Sequence, residues 1–104
     1  MLTKVFFSYR LKPDASLEDF LEWSRTVDQP FTNAQPAVHR FEVFVVSGTD
    51  GNAPSHQIFE SIWVESWEAW QATTGSEAFA PIVETWKTFV DDSDTQALYG
   101  TRVV

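Results

Sequence analysis

Two stretches decide the fold: Val38-His-Arg-Phe-Glu-Val-Phe-Val-Val-Ser47 and Gln57-Ile-Phe-Glu-Ser-Ile-Trp-Val-Glu65. Period-two alternation puts successive side chains on opposite faces of a strand. Phe41, Val43 and Val45 then share one face of the first stretch, and Phe44 and Val46 the other. In the second, Ile58, Ile62 and Val64 oppose Phe59 and Trp63. Between them lies Gly48-Thr-Asp-Gly51-Asn-Ala-Pro54, so the pair reads as a hairpin with a longer loop. Toward the N-terminus, Leu2 to Lys12 reads as a strand with Val5, Phe7, Tyr9 and Leu11 on one face, ended by Pro13-Asp14. Ser16 and Asp19 then make a capping-box variant ahead of Leu17, Phe20, Leu21, Ser24 and Val27 at helical spacing. Asp28-Gln-Pro30 and Asn33-Ala-Gln-Pro36 punctuate the connection to the hairpin. Toward the C-terminus a second helical stretch starts at Ser66, is interrupted by Gly75, and continues through Phe79, Ile82, Val83, Trp86 and Val90. Ala97 to Val104 closes the chain as a strand.

The order β-α-β-β-α-β predicts an α+β, ferredoxin-like fold: a four-stranded antiparallel sheet with two helices on one face, each helix a crossover between parallel neighbours. The other face is left bare, yet both hairpin strands are apolar on both sides. A second cover is therefore needed, most simply the same sheet of another chain, and a homodimer through the sheet face is expected.

The chain has 104 residues, seven Lys plus Arg against fifteen Asp plus Glu, and a formal net charge of −8. That length is one domain, residues 1–104. Its 43% hydrophobic and 21% charged residues are the mix of a folded protein. Acidity with scattered basic residues argues against nucleic acid. No stretch approaches a membrane span, and Met1-Leu-Thr-Lys runs into a strand without a charged and then apolar leader, so a cytoplasmic protein is expected. Zero Cys removes thiolate nucleophiles, iron–sulfur clusters and Cys-ligated zinc. His39 and His56 lie on different segments without ligand spacing, and the four Gly form no phosphate cradle, so no metal and no cofactor are expected. Aromatic residues make up 15% of the chain, more than a small interior readily hides, which points to an interface or a pocket.

The run Trp63-Val-Glu-Ser-Trp67-Glu-Ala-Trp70, continuing to Phe79 and Trp86-Lys-Thr-Phe89-Val-Asp91, resembles the dimeric α/β-barrel superfamily. More narrowly, Tyr9-Arg-Leu-Lys-Pro13, Ser16-Leu-Glu-Asp-Phe-Leu-Glu-Trp23 and Val27-Asp-Gln-Pro30 resemble the RedY/HapK-like proteins of tripyrrole-pigment and related secondary-metabolite biosynthesis. The resemblance implies a dimeric α/β barrel. For chemistry it implies a choice among cofactor-free oxygenation, isomerisation or cyclisation, haem handling, and no activity.

Three residues are candidate acid/base groups. His39 stands on the patterned face of Phe41 and Val43, where an apolar setting poises an imidazole for proton transfer; the other reading is a solvent-facing strand-end His. Glu60 lies between Ile58 and Ile62, a carboxylate on a face expected to be buried; the other reading pairs it with Arg10, Arg40 or Arg102. Asp28 precedes Gln29-Pro30 at a Pro-fixed turn, a placement the resemblance strengthens; the other reading is an Asx turn. Tyr9 offers a phenolic donor, and Trp63 and Trp70 are the expected ligand-stacking pair, on the premise that the second hairpin strand faces the second helix. His56, in the polar loop, is expected to be solvated. The reading is a secondary-metabolite protein that binds an apolar aromatic intermediate and assists condensation or cyclisation without a cofactor. The alternatives are a non-catalytic carrier and a cofactor-independent monooxygenase.

Overall fold

The order expected from the sequence is the order found in a computed structural model that describes residues 1–104. Strand β1 (Thr3–Tyr9) leads to α1 (Leu17–Trp23), a π-helical turn (Ser24–Asp28) and α2 (Gln29–Asn33). The hairpin is β2 (Val38–Val45) and β3 (Ile58–Val64), followed by α3 (Trp67–Thr74), a 3-10 turn (Glu77–Phe79), α4 (Ala80–Phe89), a second 3-10 turn (Asp92–Asp94) and β4 (Gln96–Thr101). The sheet runs β2-β3-β1-β4 with every adjacent pair antiparallel. Crossover-linked strands are parallel but are not neighbours, which corrects the sequence expectation: β3 stands between β1 and β2, and β1 between β3 and β4. No helix is long and apolar enough to cross a membrane.

The register places Val5, Ile62 and Phe41 in one row, Tyr9, Ile58 and Val45 in another, and Phe7, Glu60 and Val43 between them. The two outer rows seed two core clusters, one with Val5, Phe41, Ile62 and Trp70, the other with Tyr9, Phe20, Ile58 and Val90. Phe7 and Val43 pack against both, so Glu60 sits in the row where the clusters part. The opposite face carries Phe6, Phe44, Phe59 and Leu98, all exposed, with Phe44 stacked on Phe59 at 4.8 Å.

The first helical segment is longer than its sequence suggested. Ser16 caps α1 by accepting from the Asp19 N–H. The chain then widens rather than stopping: the Gln29 N–H bonds to Ser24 O, five residues back. Pro30 follows at the start of α2 and has no N–H to give the preceding turn, so widening there forfeits less bonding. The extra residue shifts the inward face by one position. Val27, expected inside, is 44% exposed, while Ser24, Asp28 and Thr32 turn inward and are buried. Asn33 fastens the end to β2 by donating to Phe41 O at 3.0 Å and accepting from Phe41 N at 2.8 Å.

Candidate functional site

A cavity of about 280 Å³ lies between the sheet and the helical layer. Phe7 and Glu60 line it from the sheet, Asp28 and Thr32 from the π turn and α2, and Trp70 and Trp86 from α3 and α4. Asp92 and Thr95 close one edge. No Lys, Arg or His lines it.

Glu60 is 6% exposed and Asp28 4%. Burial disfavours the charged form of both carboxyls. Burial first, and the Asp28 charge second, push the Glu60 carboxyl up to about 8, against the hydrogen bond that Tyr9 provides. Burial pushes Asp28 up to about 6, opposed by a hydrogen bond from Thr32. The buried Tyr9 hydroxyl donates to Glu60 Oε2, and burial with the neighbouring carboxylate holds its phenol well above the usual range. Thr32 Oγ1 donates to Asp28 Oδ1 at 3.1 Å. Both shifts favour the protonated form, and more strongly at Glu60, so the Glu60 carboxyl keeps its proton to higher pH than that of Asp28. This gives a neutral acid and an ionised base in one apolar cavity.

Asp28, Glu60 and Tyr9 therefore come together, and Trp70 joins them, 6.2 Å from the Phe7 ring. Neither alternative pairing occurs at the carboxylates: Glu60 meets Tyr9 rather than an arginine, and Asp28 is held inside a helical segment by Thr32 rather than in an Asx turn. Trp63 is elsewhere. It is paired with Lys4 and Arg40 on the bare face, with the Lys4 ammonium 4.2 Å from its ring, because period-two alternation from Glu60 and Ile62 sends it outward. His39 also lies apart from the cavity. A β-bulge between Val38 and Arg40 breaks the alternation, so His39 leaves the Phe41 face, remains exposed, and meets Glu65 at 3.2 Å.

His56 is not solvated as expected. Its Nδ1 lies 2.8 Å from Ser8 Oγ and its Nε2 3.0 Å from Asp94 Oδ2, and its side chain is 12% exposed. Arg10 adds a 3.0 Å bond to Asp91. Together they clamp the turn that carries Asp92 and Thr95 to the cavity edge. Trp86 belongs to the aromatic run read from sequence and lines the cavity, whereas Thr32 and Thr95 were not singled out. Thr32 was readable as the i+4 neighbour of Asp28 only if the helix were carried through Pro30, and Thr95 Oγ1, buried without a hydrogen-bond partner, had no sequence signal. No group of three or more His, Asp or Glu side chains converges to hold a metal ion.

A family model described as "REDY-like protein HapK" matches residues 3–103. No curated protein sequence matches the chain. Among solved structures, HapK from Hahella chejuensis is similar with a TM-score of 0.81 at 22% identity, over 97% of this chain and 92% of that one. A structure described as an antibiotic biosynthesis monooxygenase is similar with a TM-score of 0.71 at 20% identity, over 100% of both chains. A dimeric protein of unknown function with a ferredoxin-like fold, from Bacteroides fragilis, gives 0.68 at 10% identity over 97% of this chain and 96% of its own. These likenesses establish the ferredoxin-like fold.

Proposed function

We propose, from the premise that the chain belongs to the REDY-like HapK family, that it takes part in bacterial secondary metabolism in the cytoplasm. It binds an apolar aromatic intermediate in the Asp28–Glu60 cavity and assists a condensation or cyclisation by acid–base catalysis. One observation carries this reading: two carboxyls, each more than nine-tenths buried, line an aromatic cavity together. Burying two acids without a cation is unfavourable unless one stays protonated, and such pairs are typical of sites that move protons. An intermediate that is neutral or cationic suits a cavity with carboxylates and no basic side chain.

The sheet face supports a second part of the proposal, a homodimer that closes the barrel. Phe6, Phe44, Phe59 and Leu98 form an exposed apolar set of the kind that soluble monomers seldom display. A non-catalytic carrier and a cofactor-free oxygenase remain distinct outcomes of one experiment. Candidate intermediates are incubated with the protein, with and without oxygen. Oxygen-independent product supports acid–base assistance, oxygen-dependent product the oxygenase, and binding without turnover the carrier. Micromolar binding of 2-naphthol with weaker binding of 2-naphthoate at low salt is expected; equal or reversed preference overturns the electrostatic part.

A further inference from the structure

Glu60 reaches the cavity from the sheet and Asp28 from the helical layer. Each is held by one hydrogen bond on one oxygen, from Tyr9 on Glu60 Oε2 and from Thr32 on Asp28 Oδ1. Glu60 Oε1 and Asp28 Oδ2 are thus left without a partner inside the chain, on side chains 6% and 4% exposed.

The geometry points to an enol-forming activity on neutral ketones of bicyclic size, with Asp28 as base and Glu60 as acid. Asp28 Oδ2 takes a proton from the carbon beside the carbonyl, and the C–H electron pair becomes the enol double bond. The carbonyl π pair takes the Glu60 Oε1 proton to form the enol O–H. Reversal returns the ketone, so atoms and electrons balance with no oxidant, reductant or co-reactant. A preorganised donor stabilises the charge that develops on oxygen, and a carboxylic acid kept neutral by an apolar site is a known donor of this kind. Tyr9 serves here as a positioning residue, fixing which Glu60 oxygen carries the proton into the cavity.

The groups facing Glu60 explain the pH window. Tyr9 on β1 and Asp28 on the helical segment are its titratable neighbours, α3 and α4 present no charged side chain to the cavity, and Asp92 stands at its edge. Activity needs Asp28 ionised and Glu60 protonated, so it rises as pH passes about 6 and falls as pH passes about 8.

The inference rests on the cavity being a site for neutral aromatic ligands, and the test separates the two. 2-Tetralone is incubated in D₂O with wild type, Asp28→Asn, Glu60→Gln and the double variant. Exchange at C1 is followed by NMR, and binding is measured on the same samples by tryptophan fluorescence. The expected result is wild-type exchange about 100-fold faster than in either single variant, with binding retained in all four. Wild-type exchange no faster than that of the double variant, with 2-tetralone bound, overturns the enol-forming activity. Failure of wild type to bind 2-tetralone overturns the cavity reading beneath it.

Discussion

The two faces of the sheet invert the usual allotment of side chains. The covered face buries two carboxyls, Asp28 and Glu60, beside Trp70 and Trp86, whereas the uncovered face exposes Phe6, Phe44, Phe59 and Leu98 with Lys4 laid over Trp63. Folding alone rewards neither arrangement. Buried carboxyls lose hydration, and exposed phenylalanines gain nothing from the helices on the far side. The contrast is what the proposed function accounts for, with a small ligand completing one face and a second sheet the other.

The largest expected effect is on the bare face. Phe59→Glu places a charge within the stack that Phe59 makes with Phe44, and it should convert a wild-type dimer into monomer or aggregate in light scattering. A wild type that is monomeric at micromolar concentration breaks the comparison on that side.

Next comes the covered face. Because the Glu60 carboxyl is raised to about 8 and Asp28 to about 6, the folded chain holds more protons than the unfolded chain from about pH 4 to about pH 8. Stability therefore falls as pH rises through that window and levels above it. Glu60→Gln removes most of the slope while keeping an oxygen for the Tyr9 hydroxyl. The variant should be more stable than wild type at pH 8.5 by on the order of 3 kcal/mol, read by chemical denaturation. A variant as pH-dependent as wild type contradicts the buried protonated acid.

A smaller effect is expected at the cavity edge. His56→Ala frees the Asp92–Asp94 turn from β1 and should weaken 2-naphthol binding about fivefold, as loss of about 1 kcal/mol of hydrogen bonding implies. His39→Ala should leave 2-naphthol binding unchanged, since His39 faces solvent beside Glu65, away from the cavity.

What the sequence made legible follows from periodicity. Period-two alternation placed Glu60 inward between Ile58 and Ile62, and it exposed the second apolar face through Phe44 and Phe59. The same rule sends Trp63 outward with Phe59, so although β3 lies against the helical layer, Trp63 sits on the far face from Trp70. His39 and Asp28 were displaced by irregularities that simple periods do not carry. A one-residue bulge turned His39 out of its face, and a π turn before Pro30 turned Asp28 in and Val27 out. Such insertions answer to tertiary packing, here the Asn33 clamp on Phe41, which joins segments whose pairing local sequence leaves open.

The central claim is that the Asp28–Glu60 cavity, and not the bare face, is where an aromatic ligand binds. Calorimetric titration of 2-naphthol into wild type, Trp70→Ala and Trp63→Ala tests it most directly. Trp70 lines the cavity and Trp63 does not. The account predicts micromolar affinity in wild type, a loss of at least about tenfold in Trp70→Ala, and unchanged affinity in Trp63→Ala. Loss of affinity in Trp63→Ala with retention in Trp70→Ala would contradict it.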